Sequence, residues 1–334
     1  MPDSLILNRV RSLSNLLRRD AGDSGGGEVH CRPARPEEIH GALRLILASA
    51  SQGADDAQVH DFLAFAGPRN IDVTATWIAE QAGRMPWALL PIVSAGRTML
   101  LLCPPHRPTG TGAAAPGLLI DAVCDRFTGR DVQLAQVLLD PADESGQRLF
   151  EAHGFARMAE LIYLHGPVRR GATLPVLPAS LSLTTYSAET DAQFAAAIAA
   201  SYHDSLDCPG LNGVRSIEDI VAGHKATGEF NPSWWLLLRE RDLAGRDVPL
   251  GVLLLSGLPR SDTAELVYLG LVPAARGRGL GDILMRQAFA LIAQSPLQRL
   301  SLAVDASNAP ALKLYYRYGL SRMGSKIAMM RRIG

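Results

Sequence analysis

The chain of 334 residues is long enough for two domains, each with a core of its own. Hydrophobic residues make up 47% and charged residues 20%, an ordinary balance for a soluble globular protein. Lys+Arg and Asp+Glu stand at 33 each, so no overall field draws the chain to nucleic acid or an anionic membrane.

Leu5 to Arg19 sets Leu5, Ile6, Val10, Leu13, Leu16 and Leu17 against Arg9, Arg11, Arg18 and Arg19, which predicts a short basic amphipathic helix. It lacks the uninterrupted apolar core and small-residue cleavage site of a signal peptide. No apolar run reaches the roughly 18–20 residues a membrane span needs. A helix of this kind can lie on a membrane, but docking on its own chain or a partner subunit is the expectation. Asp20 to Gly27 (DAGDSGGG) reads as a flexible linker. Cys31, Cys103, Cys124 and Cys208 are scattered without paired metal-ligand spacing, which points to a reducing cytoplasm with no disulfide frame and no zinc.

Val29–Arg32 has the character of a strand and Ile39–Ala50 that of an apolar helix; the pair returns as Leu183–Tyr186 and Ala192–Tyr202. From about Leu100 to Leu164, adding 165 lands on a matching pattern without a gap. Pro108 falls on Pro273, Asp140 on Asp305, Leu149 on Leu314, Gly154 on Gly319, Arg157 on Arg322 and Met158 on Met323. The expected division is an N-terminal helix and linker over 1–27, a first domain over 28–166, a connector over 167–180 and a second domain over 181–334. The second half carries about 11 extra residues between its first helix and its central strands.

In the second half Glu265 to Val272 is an apolar, strand-like run that Pro273 ends. Asp282 to Gln294 places Ile283, Leu284, Ala288, Leu291 and Ile292 on one helical stripe, stopped by Pro296. Between them lies Arg276-Gly277-Arg278-Gly279-Leu280-Gly281. Glycines there let the backbone bend tightly and approach a ligand, and the outward N–H groups and dipole of a starting helix favour an anion. The stretch therefore reads as a pyrophosphate cradle. The dinucleotide fingerprint fails at Asp282, where its last glycine belongs, and there is no Gly-Lys-Ser/Thr for a nucleotide P-loop. Leu300–Val304 then alternates as a strand, and Asn308 to Gly319 reads as a helix with Asn308 as N-cap, Pro310 in the first turn and Gly319 as the stop.

Read from Arg276, the cradle is R-x-x-G-x-G and resembles the acyl-CoA signature of the GCN5-related N-acetyltransferase (GNAT) family. Asn308 to Leu320 resembles the second signature, N-x-x-A-x-x-L-Y-x-x-x-G-F, with only the final Phe replaced, by Leu320. The resemblance covers roughly residues 182–334, and the repeat extends it to two tandem domains, a layout similar to that of the mycothiol synthases. It implies an α/β fold in which each domain is a mixed, twisted sheet flanked by helices.

It also implies chemistry: an N-acetyltransferase that moves an acetyl group from acetyl-CoA, without a metal, directly to an amine. Histone-type members place a glutamate base eleven residues before the arginine, so Glu265 resembles that base. Tyr315 matches the family's general acid for the leaving thiolate; Tyr316 and Tyr318 read as packing or rim residues. Arg276, Gly277, Arg278, Gly279, Leu280 and Gly281, with the backbone of Leu271 and Val272 and the side chain of Asn308, would hold the CoA arm. In the family this arm inserts between two splayed parallel strands, here those of Glu265–Val272 and Leu300–Val304. Gly270 suggests a bulge that would free an N–H for the acyl group.

For the acceptor, the extra segment from Ser201 to Gly213 is dense in polar, turn-forming groups. Tyr202, Asp204, Asp207 and Cys208 are the candidates, with His224, Trp234 and Trp235 behind them; Asp204, Asp207 and His203 are the next places to look for the base should Glu265 not serve. A small-molecule amine is the expected acceptor; a peptide or protein amine, or a CoA-binding assembly module without turnover, is the alternative. Nothing in the sequence identifies mycothiol as the acceptor, and the oligomeric state is open.

The first half has the pattern without the chemistry. Glu265 falls opposite Leu100, Asn308 opposite Asp143, Tyr315 opposite Phe150, Arg276 opposite Thr111 and Gly281 opposite Pro116. A shifted register offers Arg107 to Gly112 as R-x-x-G-x-G, at the cost of a four-residue insertion. The expectation is a degenerate, non-catalytic first domain.

Overall fold

The computed structural model describes residues 28–49, 52–105 and 113–333. The expected N-terminal helix and linker lie outside the described residues, as do Arg107 to Gly112 and Thr111. Among the described residues no helix is long and apolar enough to cross a membrane, and no group of three or more His, Cys, Asp or Glu could hold a metal ion.

The chain forms two compact units, and the first is not one continuous stretch of sequence. One comprises residues 28–158 with 326–333, the other residues 159–325. The expected boundaries at 166, 167 and 181 therefore fall inside the second unit.

In the first unit β1 (Val29–Pro33), β2 (Trp77–Gln81), β3 (Arg84–Ser94) and β4 (Thr98–Leu102) run antiparallel in sequence. The strand β5 (Leu134–Leu139) joins β4 in parallel. One face is covered by α1 (Ile39–Ile46) and α2 (Asp56–Ala66), whose Leu43, Ile46, Val59 and Phe62 bury against Ile78, Leu90, Ile92 and Leu100. The other carries α3 (Ala115–Phe127) and α4 (Glu144–Ala152), with Leu119, Ile120, Val123 and Phe150 against Leu89, Met99 and Val137. The sheet is completed by the far end of the chain. Residues Ile327–Arg332 of β12 (Ser321–Arg332) pair antiparallel with β5, and Ile327 and Met329 enter the core.

The second unit repeats the plan. Its strands β7 (Leu181–Thr185), β8 (Glu229–Arg241), β9 (Asp247–Leu258) and β10 (Thr263–Leu271) run antiparallel, and β11 (Arg299–Asp305) joins β10 in parallel. One face carries α5 (Asp191–Ser201) and α6 (Ile217–Lys225), the other α7 (Leu280–Ala293) and α8 (Ala309–Arg317). The strand beside β11 is β6 (Ala156–Pro167), which the sequence repeat counts with the first half; its residues Leu161–Pro167 pair antiparallel with Asp305–Arg299. Ile162 and Leu164 bury there with Leu302 and Val304. Each half thus gives its last strand to the other half's unit, and the alternating pattern that ends each half serves either sheet equally.

This exchange predicts a crossed pattern of destabilisation. Leu164 and Met329 are both 0% exposed, and truncating either leaves a cavity costing about 2–5 kcal/mol. Leu164→Ala, although it precedes the connector, should lower hydrogen-exchange protection around β11, and Met329→Ala around β5. The reverse assignment would refute the exchange.

Candidate active site

β10 and β11 are hydrogen-bonded neighbours for three pairs only: Thr263↔Arg299, Ala264↔Leu300 and Glu265↔Ser301. Beyond Glu265 the ladder between them stops among the described residues. β10 continues to pair with β9 as far as Leu271↔Gly251, and β11 with β6 as far as Asp305↔Leu161. The two strands therefore diverge as the sequence reading expects, and a gap opens between two ordered edges.

A bulge decides what faces that gap. The β10–β9 register shifts between Leu266 and Tyr268, which makes Val267 the extra residue. Ala264 and Leu266 point into the core beneath α7. By strict alternation Glu265 points to the α5 side and Tyr268 would point to the α7 side. The bulge returns Tyr268 to the α5 side, opposite Leu254, so Glu265 and Tyr268 share a face. The expected bulge at Gly270 is thus displaced by three residues. Gly270 is needed for another reason: a Cβ there would stand 2.5 Å from Ser201 Oγ and 2.5 Å from the Tyr268 ring.

The segment after α5 crosses the mouth of the gap and is tied at both sides. Arg276 donates Nε to Leu271 O (3.1 Å), Nη1 to Asp204 O (2.8 Å), and Nη2 to Ser201 O (2.9 Å) and His203 O (2.7 Å). A residue expected at the pyrophosphate is therefore a staple between the exit of β10 and the end of α5. On the other side Asp305 N–H donates to Asp207 Oδ1 (3.1 Å), and Cys208 N–H donates to Asp305 Oδ2 (3.1 Å). Ser307 N–H and its hydroxyl both donate to Asp305 Oδ1 at 2.8 Å. Cys208 takes a positive φ of 47° to close this reciprocal clamp.

Of the acceptor candidates, Tyr202, Asp207 and Cys208 come together and Asp204 does not. Burial pushes the Asp207 carboxyl upward, opposed by the N–H donated from Asp305. Burial likewise pushes up the Cys208 thiol and the Tyr202 hydroxyl. A protonated thiol is a poor nucleophile, which argues against a covalent role for Cys208. The Tyr202 ring meets Tyr268 edge-on at 5.3 Å, and His224 stacks on Tyr268 at 5.5 Å. Tyr268 Oη and Ser201 Oγ are 2.9 Å apart. His224 is pushed down to about 3 by burial, so its imidazole is neutral through the physiological range. Asp204 and His203 are exposed and face each other at 3.6 Å. Trp235 is fully buried beside Phe194 and Phe230, and Trp234 packs toward the α7 face.

The remaining groups come from the α7 side. Gly277 (φ 74°) and Gly279 (φ 77°) are left-handed, and Gly279 opens α7 with no side-chain cap. A Cβ on Gly281 would press on Leu314 of α8 at 3.1 Å. Leu280, between the two glycines, is buried in the core. Arg278 pairs with Glu240 at 2.6 Å. Val272 gives its N–H to Leu250 O and accepts from Ala275 N–H, so both its backbone groups are engaged inside the protein. Asn308 caps α8 by accepting from Ala311 N–H at 3.3 Å. Tyr315, buried in the α7-side core, has its hydroxyl raised by burial first and then by Asp207 and Tyr268, which lie on the other face. The gap between the strands is where these groups meet. Tyr316 is exposed, and Tyr318 donates to Asp282 Oδ1 at 2.8 Å.

Sequence reading missed two tyrosines, Tyr268 and Tyr163. Tyr163 lies on β6 opposite Ala303, buried, with its hydroxyl raised by burial, then by Glu265 and Cys208. The available signal was the repeat itself: Tyr163 falls opposite Ala328, a large departure inside an otherwise gap-free match.

The first unit shows the same parting with other residues. The β4–β5 ladder also ends after three pairs, Thr98↔Leu134 to Leu100↔Gln136, each 165 residues before its counterpart. The Glu265 position is Leu100 and the Tyr315 position is Phe150, both buried in apolar cores. The ladder of β4 with β3 runs without a register shift.

Residues 190–320 match the model of the acetyltransferase (GNAT) family. The chain is 32% identical over 221 residues to a mycothiol acetyltransferase of Clavibacter sepedonicus, covering 65% of this chain and 67% of that protein. It is 33% identical over 222 residues to a mycothiol acetyltransferase of Clavibacter michiganensis subsp. michiganensis, covering 65% and 66%. A GCN5-related N-acetyltransferase from Sphaerobacter thermophilus shares the fold, with a TM-score of 0.58 at 16% identity over 91% of this chain and 96% of that one. Motifs, strand geometry and relatives agree: the chain belongs to the GNAT family of N-acetyltransferases.

Proposed function

We propose that the second unit transfers an acetyl group from acetyl-CoA directly to the amine of a small molecule, and that the first unit binds no acyl donor. The observation that carries this is the gap after Glu265↔Ser301, with Glu265 and Tyr315 reaching it from opposite faces. The pantetheine arm would lie in the gap with its pyrophosphate at the start of α7, where the N–H groups and helix dipole favour an anion. Leu271 and Asn308 would line this arm. Arg276 would serve it by fixing the strap, the segment over residues 202–208 that follows α5, rather than by charge.

Glu265, directly or through a water, accepts a proton from the acceptor amine. The amine nitrogen bonds to the thioester carbon, and the oxyanion is held by backbone N–H of β10. The carbon–sulfur bond then breaks as Tyr315 gives its proton to the CoA sulfur. Burial favours the protonated form of Tyr315, so the acid is in its working form across the neutral range. The strap brings Tyr202, Asp207 and Cys208 to the acceptor side, and Asp204 stands at its rim. Relatives named mycothiol acetyltransferase support a small-molecule acceptor over a peptide or protein one. Release of CoA thiol from acetyl-CoA across a panel of small amines tests the activity; no turnover with any of them would leave only a CoA-binding module.

Three further outcomes are expected. Calorimetry should give one acetyl-CoA per chain, and two comparable sites would refute an empty first unit. Tyr315→Phe should lower kcat by about 10²–10⁴-fold with acetyl-CoA affinity nearly unchanged. A loss under about threefold would return Tyr315 to packing. Wild-type kcat/KM should rise with pH to a plateau as Glu265 loses its proton. Glu265→Gln should lose rate most at low pH and recover partly as more of the amine becomes neutral in solution. Wild-type rates across the range would mean that the base lies elsewhere.

A further inference from the structure

β6 precedes the connector and belongs by sequence to the half without catalytic groups. Its pairing with β11 nevertheless puts it in the second unit, two strands from Glu265. The register fixes which of its side chains face the site. Glu265 is level with Ser301, and Tyr163 is level with Ala303, one alternation further along β11. Ser301, Ala303 and Asp305 lie on one face of β11, while Leu300, Leu302 and Val304 enter the core beneath α7. Ile162 and Leu164 join that core, so Tyr163 and His165 take the opposite face, the one that holds Glu265. Tyr163 stands about 10 Å across the strands and about 7 Å along them from Glu265, a diagonal across which the Glu265 charge acts on the Tyr163 hydroxyl.

We propose that Tyr163 is a positioning residue of the acetyl-transfer site, its hydroxyl holding the Glu265 carboxylate, directly or through a water, in its proton-accepting form. The inference rests on the reading of Glu265 as the base. Burial, the Glu265 charge and Cys208 all favour the protonated phenol, so Tyr163 is a neutral donor at every pH at which the enzyme would work. A donor aimed at a carboxylate favours its charged form and lowers its proton affinity. The other titratable groups on this side are His165 on β6, Asp305 on β11, Tyr268 on β10, Asp207 and Cys208 on the strap, Tyr202 at its start and His224 on α6. Burial holds His165 and His224 toward their neutral forms. Any charge on Asp207 or Asp305 raises the proton affinity of a carboxylate near it, while the cations Arg215, Arg276 and Arg299, which act on Tyr202, Tyr268 and His165 in turn, lower it.

The test is the pH profile of kcat/KM for wild type, Tyr163→Phe and Glu265→Gln on the full chain, with melting temperature and acetyl-CoA affinity measured alongside. Tyr163→Phe keeps the ring and should keep both controls. Its acidic limb should move up by on the order of one pH unit, with a loss of about tenfold below the limb and little change on the plateau. The double variant should show no limb shift beyond Glu265→Gln alone, because Tyr163 acts through that carboxylate. An unmoved limb in a folded Tyr163→Phe, with the limb lost in Glu265→Gln, would overturn the role of Tyr163 and leave the base intact. A Glu265→Gln variant that keeps the wild-type rate and the wild-type position of the limb would overturn the base, and the inference with it.

Discussion

The parting of β10 from β11 after the Glu265–Ser301 pair is the constraint on which the rest of the site depends. A strand between two neighbours has its backbone groups spoken for; one that leaves a neighbour has N–H and C=O groups to offer. Here the departure is stable because each strand keeps its outer partner, β9 on one side and β6 on the other. The extra residue at Val267 then turns Tyr268 to the face already occupied by Glu265. One inserted residue thus determines which side chains share the gap.

Holding polar groups at such an opening requires partners for them, since a buried polar group left unmatched costs roughly a lost hydrogen bond. Arg276 answers four carbonyls with one guanidinium, a fan that lysine's ammonium would reproduce poorly. Asp207 and Asp305 meet as two carboxyl groups, yet each accepts a backbone N–H from the other's segment. Their mutual repulsion is offset by N–H dipoles, and the strap is fixed in register with β11.

The parts of this arrangement written in local pattern were legible in the sequence. Gly277, Gly279, Asn308, Pro310 and Gly319 mark turns and caps by their own chemistry, and they stand at the ends of α7 and α8. The offset of 165 residues fits the whole series of elements, from β4 and β10 to β6 and β12. What could not be read depends on distant partners. The bulge at Val267 exists only against β9, and Gly270 is small because of a tyrosine and a serine brought in by folding. Arg276 looked like a phosphate ligand because charge is visible in sequence and carbonyl acceptors are not. Tyr163 was hidden by the assumption that a repeat keeps its own last strand.

The exchanged last strands also set an order of events during synthesis. β6 is made long before the strand it will flank, and β5 is made long before its partner β12. At about 5–20 residues per second, the edge of β5 waits roughly 10–40 s for β12. Throughout that interval a hydrophobic strand edge is open to β6, the repeat-equivalent and only nearby candidate among the described strands of the first half. A nascent chain that accepts this substitution would close the first half prematurely and leave β11 without its outer neighbour. Emergence of β12, not completion of the first half, is the moment at which both sheets can close.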